Sequence, residues 1–307
     1  MSRICKLSTS ILLFAALLLP RPSHAEQANL EIFAQKFERQ LRQIADETPG
    51  VVGISVIDIR TGREYGTNRD LLFPTASSIK LLVEVAFRVG VSEGGIDLDE
   101  SVVADFGQGR RGYTLREVSH LMIDRSDNDA TNILIDRVGI GRINAVASRL
   151  GLSSMRLRRG MIRPEDSASG RENLSSPADG ARLMVRMLDC DLPMRRDVCE
   201  RMREIAFGTY PEGPVRQQIP AQVPVIQMPG GLPGVRNSWA AVNLRGRPFA
   251  LGVMGHFGDT ERHTRMIRDV TDVAYGYFLV LSEATDHGVR VGVDVLESAA
   301  SSEARHP

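Results

Sequence analysis

Strand-like segments crowd the two ends of this 307-residue chain, and helical periodicity fills its middle. Near the first end, Val52, Ile54 and Val56 share one face of a strand while Ile57 and Ile59 fall on the other. A strand apolar on both faces towards its end is expected to be covered on both sides there. Arg60-Thr61-Gly62-Arg63 turns it into a second short strand. Strand character returns in Pro224–Met228, Ser238–Asn243 and Phe249–Gly255, with Asn243-Leu244-Arg245-Gly246-Arg247 as a connecting turn. Between the two ends, residues 81–90, 114–123, 129–138, 141–150 and 178–189 carry helical spacing. Helices are also expected at 28–47, with Leu30, Phe33, Phe37, Leu41 and Ile44 on one stripe, and at about 261–282. This order implies one sheet assembled from both termini and an inserted all-helical lobe. The boundaries are an α/β lobe of about 28–75 and 206–285, a helical lobe of about 76–205, and a flexible tail at 298–307. A cleft between two such lobes is where a small-molecule site is expected.

Residues 1–25 read as a secretory signal, with Arg3 and Lys6 basic, Ile11 to Leu19 apolar, and Ser23-His24-Ala25 as the cleavage site. The apolar segment before Pro20 is too short to span a bilayer. A periplasmic or secreted monomer is therefore expected. The whole chain balances 38 Lys+Arg against 38 Asp+Glu, and cleavage removes three cations and no acid. A mildly acidic remainder asks for neither nucleic acid nor an anionic membrane. Cys190 and Cys199 survive cleavage, and an oxidising compartment favours a local disulfide over two free buried thiols. His256 and His263 lack Cys or carboxylate partners at ligand spacing, so neither a metal nor another cofactor is expected.

Lysine is rare here: only Lys6, Lys36 and Lys80 occur, and every other cation is arginine. Lys80 closes Ser77-Ser78-Ile79-Lys80 and opens the apolar run Leu81 to Phe87. Three positions apart on a helix, Ser77 and Lys80 share a face. A lysine in apolar surroundings loses pKa and can act as a base, which arginine cannot. The plainer reading is a snorkelling lysine in a chance tetrad. Serine needs activation before it attacks a carbonyl, and a neutral lysine is one way to supply it.

A second element, Ser126-Asp127-Asn128, precedes the apolar helix Ala130 to Val138. Ser126 is suited to relay a proton between Lys80 and a leaving amine, and Asn128 to bind a substrate amide while holding Lys80. Taken alone, the tripeptide is an ordinary helix cap. Tetrad and tripeptide in this order, each opening an apolar helix, are a sharper signal than either motif.

At these residues the chain resembles the class A β-lactamases and the related serine penicillin-recognising enzymes. Phe73-Pro74-x-x-Ser77-x-x-Lys80 is similar to their nucleophile motif and Ser126-Asp127-Asn128 to their second. Thr114-Leu115-Arg116-Glu117 and Asp129 to Leu134 are similar to the flanking segments, and the likeness runs over about residues 30–285. It implies an α+β, β-lactamase-like fold: an antiparallel sheet built from both termini, flanked by helices, with the helical lobe inserted. It also implies an acyl-enzyme mechanism with Ser77 as nucleophile and a β-lactam or related ester or amide as substrate.

Two positions depart from that pattern. The family's Lys-Thr-Gly strand motif falls on Met228-Pro229-Gly230, so the substrate carboxylate loses its usual partners unless Arg236 substitutes. Gly230 and Gly231 remain as substrate-binding backbone, with the N–H groups of Ser77 and Gly231 as the oxyanion hole. The deacylating glutamate's place falls near Met161, and Glu165 is the nearest carboxylate, the candidate if the loop winds differently. Asn173 lies too far along to partner it, and Arg159 with Glu172 either closes the loop as an ion pair or forms two independent surface charges. Without a placed base, water attack on an acyl-enzyme is slow. Three readings stay open: a β-lactam hydrolase with slow deacylation, an esterase or peptidase on another ester or amide, and a catalytically degenerate binding protein.

Overall fold

The computed structural model describes residues 24–285 and 288–289. The expected signal segment, apart from His24 and Ala25, and the tail at 298–307 lie outside the described residues. Along the chain run α1 (His24–Glu47), β1 (Val51–Asp58), β2 (Glu64–Thr67), β3 (Phe73–Pro74), α2 (Lys80–Ser92), β4 (Ser101–Ala104), β5 (Arg111–Thr114), α3 (Leu115–Arg125) and α4 (Asn128–Val138). They are followed by α5 (Ile140–Arg149), α6 (Pro164–Ala168), β6 (Leu174–Ser175), α7 (Pro177–Asp189), α8 (Arg196–Ala206), β7 (Val225–Leu232), β8 (Val235–Val242), β9 (Phe249–His256) and α9 (Thr260–Glu283). No helix among the described residues is long and apolar enough to cross a membrane.

Five strands form one antiparallel sheet in the order β2-β1-β9-β8-β7, so strands from the two ends of the chain meet at β1 and β9. Alternation decides what each face covers. Val52, Ile54 and Val56 join Phe37 and Leu41 of α1 and Phe278 of α9 in one core. The opposite face, with Trp239, Ala241, Ala250 and Met254, packs into a second core shared with the helical lobe. Helix α7 lies directly on that face, although its spacing alone assigns it to the helical lobe. Small residues permit the approach: a Cβ at Gly252 would stand 2.1 Å from the carbonyl oxygen of Pro177, and one at Gly180 2.5 Å from the indole of Trp239.

Three local differences from the sequence expectations bear on the site. Strand β7 does not stop at Met228 but runs through Pro229, Gly230 and Gly231 to Leu232. Proline is tolerated because β7 is the sheet edge, where a missing N–H breaks no ladder. The helical lobe also carries a small hairpin, β4 with β5, whose four-residue strands are too short to betray themselves by periodicity. Helix α8 is likewise additional; its buried stripe is only Cys199, Met202 and Ala206. Cys190, at the end of α7, is bonded to Cys199, with Cα atoms 5.7 Å apart.

Candidate active site

Ser77 sits in a 3₁₀ turn, Ala76–Ile79, that feeds directly into α2. The residue before it, Ala76, has φ +48, a left-handed conformation that side chains with a Cβ rarely adopt. Neighbouring strands hold the turn in place. Ser78 Oγ donates to the Met228 carbonyl (3.1 Å), Asn237 Nδ2 to the Pro74 carbonyl (2.8 Å), and Thr75 N–H to the Asn173 carbonyl (2.9 Å). Gly230 allows β7 to come this close, since a Cβ there would lie 2.7 Å from Thr75 O and 2.8 Å from Ser78 Oγ.

One turn along, Lys80 is completely buried at the start of α2. Its Nζ donates to Ser126 O (2.5 Å), Ser126 Oγ (2.9 Å) and Asn128 Oδ1 (2.9 Å). The helix junction explains how one amine reaches all three. Ser126 ends α3 in the left-handed conformation (φ 53), Asp127 caps α4 by accepting from Ala130 N–H (2.8 Å), and Asn128 is the first residue of α4. The tripeptide thus caps α4 through Asp127 and meets Lys80 through Ser126 and Asn128. Glu84, one helical turn beyond Lys80, does not serve as its counterion, because Arg88 Nε (2.7 Å) and Ser119 take up its carboxylate. Desolvation dominates at Lys80 and pulls its pKa down from 10.5 to about 8, against a smaller opposing effect of the Asp127 charge.

Among the described residues, none of the hydrogen bonds of Lys80 goes to Ser77. Ser77 instead opens onto two clefts. One, of about 370 Å³, is walled by Asn128, Met161, Ile162, Glu172, Gly231 and Leu232 among others. The other, of about 490 Å³, is lined by Ser126, Tyr210, Pro229, Gly230, Gly231 and Arg236. Lys80, Ser126, Asn128, Gly230, Gly231 and Arg236 thus all gather around Ser77. Arg236, opposite Gly231 in the hairpin, is partly occupied, since its Nε donates to Thr264 Oγ1 at 3.1 Å.

Glu165 does not join them. It is exposed on the short helix α6 and lines neither cleft. The loop turns it outward because two asparagines pin the backbone elsewhere. Asn132 Oδ1 accepts from Met161 N–H (2.7 Å) and its Nδ2 donates to Met161 O (3.2 Å). Asn173 does the same for the loop's base, accepting from the N–H groups of Arg158 (2.7 Å) and Arg159 (3.0 Å) and donating to Arg159 O (3.1 Å). Met161 is 6% exposed and sets an apolar side chain in the wall of the cleft. The carboxylate that does reach the cleft is Glu172, and both its oxygens are engaged: Oε2 with Arg159 Nη2 at 2.6 Å, Oε1 with Ser167 Oγ. The ion-pair alternative for Arg159 and Glu172 is the one realised.

Sequence reasoning missed Tyr210, Glu172 as a cleft residue, and the two pinning asparagines. Tyr210 stands in an irregular loop, Thr209-Tyr210-Pro211-Glu212-Gly213, with no spacing that ties it to a motif. Asn132 lies four residues after Asn128 on α4, a separation that places both on one helix face and was available as a signal.

Comparison with known proteins places this arrangement. A family model described as "Beta-lactamase enzyme family" matches residues 36–278. Beta-lactamase SME-1 of Serratia marcescens is 26% identical over 111 residues, which make up 32% of this chain and 37% of that enzyme. The β-lactamase of Sphaerobacter thermophilus superposes with a TM-score of 0.71 at 24% identity, covering 80% of this chain and 98% of that one. PBP-A superposes with a TM-score of 0.72 at 23% identity, covering 80% and 96%. A single-site mutant of PBP-A, solved as an acyl-enzyme complex with penicillin G, aligns equally well, with a TM-score of 0.72, 23% identity and coverage of 80% and 97%. With a family model matched over most of its length and this antiparallel sheet with its helical lobe, the chain belongs to the β-lactamase enzyme family.

Proposed function

We propose that this protein is a serine hydrolase that forms an acyl-enzyme through Ser77 with a β-lactam or a similar small amide, and releases it slowly. The observation that carries the reading is the fully buried Lys80, bonded to Ser126 and Asn128 beside a serine that opens onto two clefts.

In this reading neutral Lys80 takes the Ser77 proton as Oγ attacks the carbonyl carbon, and the Ser77 and Gly231 N–H groups bind the oxygen that becomes negative. The tetrahedral centre then expels nitrogen. Ser126 gives its hydroxyl proton to that nitrogen and receives one from Lys80, so the base ends neutral. An ammonium fills the three contacts around Nζ with its three N–H donors, and a neutral amine fills two of them and keeps its lone pair for the Ser77 proton. Asn128 holds the amine and the substrate amide at once.

Hydrolysis of the ester needs a base for water. Met161 supplies none, and Glu172 is tied to Arg159 and Ser167, which supports slow turnover. A second reading, an esterase or peptidase whose substrate lacks the β-lactam carboxylate, draws on the apolar Met228 and Pro229 in β7. Export by the signal segment to a periplasmic or extracellular site fits either substrate.

Intact-protein mass after exposure to benzylpenicillin tests the proposal, alongside a chromogenic cephalosporin assay. A stable adduct with little turnover is expected, and Ser77→Ala abolishes it. Labelling by a fluorophosphonate but by no β-lactam moves the substrate to the second reading; no labelling by either rejects an enzyme.

A further inference from the structure

Tyr210 is held in a backbone conformation that residues with a Cβ rarely adopt. Its φ is +53, in the left-handed region, and two donors converge on its carbonyl: Gly213 N–H at 2.9 Å and Gln227 Nε2 at 2.7 Å. Gln227 is buried on β7 beside Met228, and it reaches the loop because residue 213 is glycine; a Cβ there would stand 2.3 Å from its Nε2. The clamp sets Tyr210 in the wall of the cleft that Ser77, Ser126 and Gly231 share. The hydroxyl is shielded from water and makes no hydrogen bond of normal geometry, and Ser126 lines the same cleft. A buried hydroxyl without a partner is a costly arrangement, and Ser126 is a hydroxyl of the same cleft that it could pair with.

We infer that Tyr210 is a positioning residue for proton delivery, donating from its Oη to Ser126 Oγ while Ser126 passes its own proton to the leaving nitrogen. The inference rests on the acyl-transfer reading above. Ser126 Oγ gains negative charge as its proton leaves, before Lys80 replaces that proton. Met228, the neighbour of Gln227 on β7, offers no charge or donor to offset it. Tyr210 keeps its proton throughout; the C–N bond breaks, the Ser77 ester forms, and the proton count closes between Ser77, Lys80, Ser126 and nitrogen. Burial pushes the phenol up to about 12, so it remains a donor across the neutral range.

The test compares two acyl donors on the full chain. Benzylpenicillin must protonate its leaving nitrogen, whereas p-nitrophenyl acetate expels a stable anion. Tyr210→Phe is expected to slow Ser77 acylation by benzylpenicillin about tenfold, the size of one net hydrogen bond, and to leave the ester rate within about twofold. Gln227→Leu, which frees the Tyr210 carbonyl, is expected to give the same selective loss. Equal rates for wild type and both variants overturn the inference, and so does a loss shared equally by the two substrates, which marks a merely structural role. If the wild type acylates with neither compound, the acyl-transfer reading itself fails and takes this one with it.

Discussion

On one side of Ser77 the polar groups form a closed set: Lys80 meets three acceptors, and Asp127 and Asn128 are fixed by the α3–α4 junction that presents them. On the other side stands Met161, and the single carboxylate lining that cleft, Glu172, is committed to Arg159 and Ser167. Forming an ester and hydrolysing it make separable demands: the first needs a base for a serine, the second a base for water. In the proposed reading this chain carries the machinery for the first and sets a buried thioether, Met161, where the second needs a base. The difference also shows in how each wall is stabilised. The Lys80 side spends desolvation on keeping an amine out of water, whereas the Met161 side gains from burial of an apolar side chain.

The contrast can be broken or sharpened in four ways, in falling order of effect. Lys80→Arg keeps a cation but removes a group able to give up its proton, so acylation measured by stopped-flow or mass should fall by about 10²–10⁴. A variant that labels at the native rate would move the base elsewhere. Met161→Glu places a carboxylate where Asn132 already fixes the backbone, and the acyl-enzyme lifetime should shorten on the order of 10²-fold. An unchanged lifetime would mean that the side chain does not face the ester.

The pH dependence gives a smaller, graded effect. With Lys80 at about 8, roughly a tenth is neutral at pH 7, so acylation should rise about tenfold between pH 7 and 9 and then level. A profile flat over that range would deny Lys80 the base role. The sign for folding follows from the same shift. The unfolded lysine holds its proton up to 10.5 and the folded one only to about 8, so the stability contribution of this group increases as pH climbs between those values. Last, Arg159→Met leaves Glu172 without its cation, and thermal or urea unfolding should show a loss of about 1.5–3 kcal/mol. Acylation by Ser77 should change little, because Arg159 belongs to the other wall.

Much of the fold was legible in the pattern of apolar residues. Val52, Ile54 and Val56 alternate onto the core that they do enter, and the stripe Phe37–Leu41 on α1 meets it from the expected side. The nearness of Ser77 and Lys80 follows from a three-residue spacing, a local property, although Ser77 lies in the 3₁₀ turn before α2 and the bonds of Lys80 go to Ser126 and Asn128. Elements whose boundaries depend on distant partners were read less well. The extension of β7 past Pro229 needs an edge position in the sheet, and α7 sits on the sheet because Gly180 and Gly252 let it approach. Nearness along the chain points to Glu165, but Asn132 and Asn173, reaching from α4 and from the loop's far end, decide which carboxylate turns inward.

Sequence alone therefore determined the order of elements, the serine and the amine one turn apart, and the scarcity of lysine that makes Lys80 conspicuous. Tertiary structure decided that this amine is dry, that its three partners come from a helix junction 46 to 48 residues away, that Glu172 rather than Glu165 enters the cleft, and that Tyr210 lines the same cleft as Ser126. The division has a physical origin. Helical and strand periodicities act over a few residues and are written in the chain, whereas burial, pKa and the direction of a loop side chain depend on groups brought together only when the two lobes close.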